Sequence, residues 1–193
     1  MLIAVTGGFA CGKTTVARLL ARRGARRVDA DSIAKQMLKR QETRLRRLFP
    51  DAFAGSRLSK KRLAEIIFSS PGRRRRLEAL VHPLVAEKIL SLRKAAGKTG
   101  KIYVVEMPLL FEARMENFFD VIVTVRAARE TCLKRSRLPR SEAIKRIAAQ
   151  VPLGEKVKKA DYVINNDKGI ASLEKSVSVL WDKIMQKENN RGG

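Results

Sequence analysis

The chain has 193 residues, a hydrophobic fraction of 45% and a formal net charge of +23, from 42 Lys and Arg against 19 Asp and Glu. That length suits one domain with insertions, and that charge favours polyanionic ligands over acidic-surface chemistry. The apolar start lacks a basic leader, no uncharged apolar run approaches the roughly 18 residues of a membrane span, and the two cysteines make neither a disulfide framework nor a metal cluster, so a cytoplasmic protein with no membrane partner is expected.

In chain order, Leu2-Ile3-Ala4-Val5 reads as a buried strand and Val16 to Leu20 as the body of a helix. Between them Gly7 to Thr15 reads GGFACGKTT and fits G-x-x-x-x-G-K-[ST]. Strand, glycine turn and helix are the setting in which backbone N–H groups surround a phosphate and the helix N-terminus adds its partial positive charge. Gly8, Phe9, Ala10, Cys11, Gly12 and Thr15 are therefore candidate nucleotide-binding positions. Lys13 is expected to point into a solvent-filled cleft and reach the β- and γ-phosphates, and the Thr14 hydroxyl to bind Mg²⁺.

Ala25 to Val28 reads as a second strand, followed by Asp29, Asp31 and a helix from Ser32 to Lys39. A carboxylate at this sheet rim could take a proton from an acceptor hydroxyl or hold Mg²⁺ through water, while Asp31 could equally cap the helix. Residues 42 to 96 carry little strand character. Ser59 is placed to cap one helix, Pro71 to start a second and Pro83 to open a third, with Gly97 to Gly100 ending the insertion. Ile102 to Val105, Val121 to Val125 and Tyr162 to Ile164 resume the strands, Ile170 to Lys187 is the closing helix, and Glu188 to Gly193 reads as a frayed tail. Such alternation predicts a parallel sheet with helices on both faces and ligands at the C-terminal strand ends.

Cations crowd Arg44 to Arg47, Arg73 to Arg76 and the helical stretch from Ala127 to Ala160. They form either a solvated basic surface or a site for nucleic acid, and no aromatic residue interleaves with them as a base-stacking platform. Nucleic-acid binding is accordingly expected only as a non-specific effect of charge, and no oligomeric state follows from the sequence.

Six motifs in order resemble the dephospho-CoA kinase family: TGGFACGKTT, VDADSIA from Val28 to Ala34, ALVHPL from Ala79 to Leu84, EMPLLFE from Glu106 to Glu112, IAAQ from Ile147 to Gln150, and KADYVINN from Lys159 to Asn166. The resemblance implies an α/β P-loop kinase fold: a five-stranded parallel sheet flanked by helices, a helical substrate-domain insertion and a helical lid. It implies ATP-dependent phosphorylation of the ribose 3′-hydroxyl of dephospho-CoA, with Mg²⁺, ATP and dephospho-CoA as cofactor and substrates. Residues 1–41, 97–126 and 151–193 correspond to the nucleotide-binding core, 42–96 to the CoA-side insertion and 127–150 to the lid.

Residue by residue, the resemblance makes Asp31 the catalytic base beside Lys13. His82 becomes either an acceptor contact or a structural residue before a helix-starting proline. Pro108, Leu109 and Leu110 pack the substrate cleft or fill core, and Glu112 is a cleft residue or a cap. Arg135, Arg137 and Arg140 are the candidates for a phosphate-contacting lid arginine. The chain departs from the family pattern at Ala10 and Cys11, where Gly-Ser is common, at Glu106, where Asp is common, and in a shortened lid, KRSRLPRSEA. Cys11 is also a possible point of oxidant sensitivity. A nucleoside monophosphate kinase shares the loop and lid but not these motifs together. A nucleic-acid-binding P-loop protein accounts for the charge but not for their order.

Overall fold

The computed structural model describes residues 1–189. The chain divides into two compact units, one made of Met1–Asp29 and the chain from Leu90 onward, the other of Ala30–Ile89.

The first unit is built on a parallel sheet. In chain order its first elements are β1 (Leu2–Gly7), α1 (Lys13–Arg22) and β2 (Arg26–Asp29). The second unit holds α2 (Ala30–Arg40), α3 (Glu42–Leu48), the two-residue strands β3 (Phe53–Ala54) and β4 (Arg57–Leu58), and α4 (Lys60–Ser69). Helix α5 (Pro71–Thr99) leads back into the first unit. There follow β5 (Tyr103–Glu106), β6 (Val121–Arg126), α6 (Arg129–Arg135), α7 (Arg140–Ala148), α8 (Leu153–Lys158), β7 (Tyr162–Asn165) and α9 (Ile170–Asn189).

The strand order is β2-β5-β1-β6-β7, all parallel. This is the five-stranded sheet the alternation predicts. Its centre is β1, buried at all six positions, because a strand covered on both faces has no polar side to spare. The edge strand β2 instead starts with exposed Arg26 and Arg27, charges that discourage pairing with another chain. Ile3 and Val5 meet Val16, Ala17 and Leu20 of α1 and Leu173, Val177 and Ile184 of α9 in one core. On β6, the Thr124 hydroxyl donates to the Lys156 carbonyl of α8 at 3.1 Å.

Element ends shift by a few residues from the sequence expectation. Helix α1 begins at Lys13, because the backbone turns helical as soon as Gly12 leaves its left-handed conformation. Helix α2 begins at Ala30, so Asp31 lies inside its first turn. Its carboxylate there complements the helix dipole rather than capping from outside. Ser59 does cap α4, accepting the Arg62 N–H at 3.3 Å.

One expectation fails outright. Pro83 does not open a new helix: α5 runs unbroken over 29 residues with Pro83 inside it. A proline there removes one backbone hydrogen bond. The buried Val81, Val85 and Ile89 recur every four residues on either side of it, and Pro83 itself faces solvent. A continuous apolar stripe outweighs the missing bond. The little hairpin of β3 and β4 is the strand content that sequence did not suggest within 42 to 96. Of the expected frayed tail, Glu188 and Asn189 complete α9, and the last four residues lie outside those described.

A buried ion pair ties α8 to the turn after β5. The Lys156 side chain is fully buried; its Nζ lies 2.8 Å from Glu112 Oε1 and donates to the Pro108 carbonyl at 3.0 Å. Glu112 Oε1 also accepts the Val151 N–H at 2.9 Å. Removing one member strands the other, at about 3 kcal/mol for a pair in which Glu112 keeps some solvent contact. Lys156→Ala should lower the melting temperature by about 6–12 °C. Calorimetry checks this, and a variant melting with the parent would show that water replaces the ammonium.

Candidate active site

The loop after β1 depends on backbone that carries no side chain. Gly7 has φ 140°, and a Cβ on it would lie 2.0 Å from the Val125 carbonyl oxygen of β6. Gly12 has φ 95°, and a Cβ there would lie 2.2 Å from Asn166 Nδ2. That amide donates to the Cys11 carbonyl at 2.9 Å, so the residue after β7 pins the loop from the far side. The loop also closes on itself, with the Cys11 N–H donating to the Gly8 carbonyl at 3.3 Å. Ala10 holds φ 55°, a left-handed conformation that costs an alanine roughly 1–2 kcal/mol.

Lys13 is not open to solvent as expected. It is 8% exposed, and its ammonium donates to the Gly8 carbonyl at 2.7 Å. The loop's own carbonyl satisfies the charge and draws the side chain inward. Thr14, one residue on, donates its hydroxyl to Glu106 Oε1. The other oxygen of Glu106 accepts from Arg27 Nη2 at 2.8 Å. Glu106 ends β5, beside β1, and is 7% exposed. Asp29, the last residue of β2, is in register with it. A hydroxyl and a carboxylate brought together beside a phosphate loop are hard oxygen donors, the set that suits Mg²⁺ held partly by substrate phosphates.

The other sequence candidates fall on several elements. Asp31 is exposed in the first turn of α2, and His82 is half-buried within α5. Leu109 is 47% exposed, whereas Leu110 is fully buried and fills core, so only the former presents a surface. Arg135 donates to the Asn166 carbonyl at 2.7 Å and is thereby joined to the loop. Arg140 instead pairs with Glu130 at 3.0 Å, both largely exposed, and Arg137 is exposed between α6 and α7. Arg146 of α7 lies 6.0 Å from the Phe9 ring centroid, within cation–π range.

Three residues of this site were given no role from sequence: Glu106, noted only as a departure from the family pattern, Arg27 and Asn166. Glu106 had a signal, an acidic residue directly after an apolar strand, which is where a second phosphate-site carboxylate sits in P-loop proteins. Arg27 and Asn166 had none, because their partners lie 79 and 155 residues away in the chain.

The dephospho-CoA kinase family model matches residues 1–172. A dephospho-CoA kinase from Thermus thermophilus is 35% identical over 188 residues, covering 95% of this chain and 92% of that protein. Among solved structures, one from Thermus thermophilus superposes with a TM-score of 0.83 at 35% identity, covering 95% of this chain and 97% of that one. A dephospho-CoA kinase from Campylobacter jejuni gives 0.76 at 25% identity, covering 97% and 98%.

The loop geometry predicts opposite outcomes for two substitutions. Ala10→Gly relieves the left-handed strain at the cost of a more flexible unfolded chain, and should stabilise by about 0.5–1 kcal/mol, or roughly 1–4 °C in melting temperature. Gly7→Ala drives a methyl group into the β6 backbone and should lower the melting temperature by more than about 10 °C or abolish folding. Thermal melts of both variants check this, and a stable Gly7→Ala protein would contradict the packing at β6.

Proposed function

The chain belongs to the dephospho-CoA kinase family, and we propose that it transfers the γ-phosphoryl group of ATP to the ribose 3′-hydroxyl of dephospho-CoA, giving CoA and ADP, the last step of coenzyme A synthesis. The observation that carries this reading is the Thr14–Glu106 pair beside the glycine loop, in a chain with all six family motifs in order. In this reading the loop N–H groups from Gly8 to Thr15 wrap the ATP phosphates. Lys13 exchanges the Gly8 carbonyl for phosphate oxygen, neutralising charge that spreads over the transferring group. Thr14 and Glu106 would hold Mg²⁺, which when bound would supply charge neutralisation and orientation for the phosphates. Arg27 keeps the Glu106 carboxylate aimed.

Asp31 takes the proton of the 3′-hydroxyl; its support is the D-A-D motif and its place two residues beyond the end of β2. Residues 42–96 receive the CoA side, where His82 is an acceptor contact; Leu109, in the turn after β5, is another. Residues 127–150 act as the lid, with Arg135 the phosphate-facing arginine because it is already joined to Asn166. The enzyme works in the cytoplasm; among the described residues no helix is long and apolar enough to cross a membrane. The +23 charge adds salt-sensitive, non-specific attraction for nucleic acid.

The direct test is ADP release with dephospho-CoA beside a panel of nucleoside monophosphates. Turnover of a monophosphate with dephospho-CoA untouched would refute the assignment. Lys13→Ala should cut turnover by roughly 10²–10³-fold. Asp31→Asn keeps the first-turn side chain's shape but cannot accept the proton. Its melting temperature should fall by no more than about 1–4 °C, the charge–dipole contribution lost, while the single-turnover rate falls by roughly 10²-fold or more. A near-parental rate would reduce Asp31 to a positioning role.

A further inference from the structure

The two cysteines of this chain, 121 positions apart, meet inside the first unit. Cys11 Sγ and Cys132 Sγ lie 3.1 Å apart, with both residues buried, at 1% and 3% exposure. Cys11 belongs to the nucleotide loop, and Cys132 to α6. We propose that Cys11 and Cys132 form a dithiol site that a hydroperoxide converts to an intrachain disulfide, and that this bond reversibly disables nucleotide binding by the loop. The consequence for turnover rests on the kinase reading above; the chemistry of the pair does not.

Buried cysteines are ordinarily inert, so the surroundings must distinguish these. The charged groups acting on the pair are cationic: Lys13 at the start of α1 and Arg135 on α6. Cys11 also sits at the N-terminal approach to α1, where partial positive charge favours a thiolate. The hydrogen bond between the two thiols is the largest influence on Cys11 and, with a backbone hydrogen bond at Ala127 and, more weakly, the charge of Lys13, lowers its pKa to about 7 against the opposing effect of burial. The same contact and burial push the Cys132 thiol up. One sulfur is thus suited to attack and the other is held protonated beside it.

The chemistry balances with hydrogen peroxide as oxidant. The Cys11 thiolate attacks one peroxide oxygen; an S–O bond forms, the O–O bond breaks, and the departing hydroxide takes up the proton that Cys11 released to solvent on ionising and leaves as water. Cys132 then attacks the Cys11 sulfur as it gives up its proton. An S–S bond forms, the S–O bond breaks, and a second water leaves. The dithiol loses two electrons and two protons, and the peroxide is reduced to water.

The bond must disturb the loop. Sulfurs at 3.1 Å must close to about 2.05 Å, so roughly 1 Å of motion falls on the loop or on α6. The loop has little slack, since a Cβ on Gly8 would lie 2.7 Å from Cys11 Sγ and the Cys11 carbonyl is held by Asn166. Asn166 is in turn held by Arg135, three residues along α6 from Cys132. Pulling the sulfurs together therefore shifts both ends of one hydrogen-bonded ring, the loop and the arginine that faces it.

The test treats reduced protein with hydrogen peroxide, blocks remaining thiols, and maps peptides without reduction. A fluorescent ATP analogue is titrated in parallel, with no acceptor present. The expected result is a Cys11–Cys132 peptide pair, nucleotide affinity reduced by roughly 10²-fold, the scale of a 1 Å misplacement, and recovery of the free thiols and of the affinity with dithiothreitol. Cys132→Ala should bind nucleotide like the reduced parent and, after peroxide, carry one added oxygen on Cys11 with no disulfide. Absence of the linked peptide in the parent overturns the site. A linked peptide with unchanged nucleotide affinity overturns its control of the loop. Both readouts stand even if dephospho-CoA proves not to be the acceptor.

Discussion

The missing side chain at Gly7 is the constraint on which the site rests. Strand β1 is hydrogen-bonded on both sides, and at its last residue the backbone passes so close to Val125 that no Cβ could fit. That approach lets the chain leave the sheet in a tight loop rather than a wide one. Gly12 repeats the arrangement at the other end, against Asn166. With one end fixed against the β6 backbone and the other against the Asn166 side-chain amide, Lys13 and Thr14 enter α1 at set positions, and Thr14 meets Glu106 across the neighbouring strand. Rigid backbone is what makes a phosphate loop effective, because donors already in place need not reorganise when charge develops.

The large positive charge is not spread evenly in its effects. Most of it is exposed, and ion pairs such as Arg140 with Glu130 or Arg46 with Glu42 face solvent. Such pairs contribute little to stability. Three of the described cations show the contrast. Lys156 is wholly buried and holds the turn after β5, Lys13 is folded onto its own loop, and Arg27 orients the buried Glu106 carboxylate of the site. These three act through geometry, and the surface excess acts through its long-range field. The thiol pair belongs to the same electropositive ground, which is why a contact between two core cysteines acquires reactivity.

Much of the fold was legible because its signals are local. Short apolar runs marked β1, β5, β6 and β7 of the main sheet, and the spacing of Gly7, Gly12, Lys13 and Thr14 marked the loop. Ser59 was readable as a cap for the same reason: its partner is three residues away. Pro83 was misread because the local cost of proline is plain in the sequence, while the stripe of Val81, Val85 and Ile89 that compensates depends on what they pack against.

By itself, then, the sequence determined the strand-loop-helix that binds phosphate, the parallel alternation around it and the family to which the motifs point. Each rests on backbone conformation or periodicity within a few residues. Only the tertiary structure decided that Glu106 joins Thr14, that Asn166 pins the loop, that Lys156 is buried rather than solvated, and that Cys11 meets Cys132. Those contacts join residues between 44 and 155 positions apart. A parallel sheet brings distant strand ends onto one rim, and which side chains meet there depends on strand order and register, which no local pattern encodes.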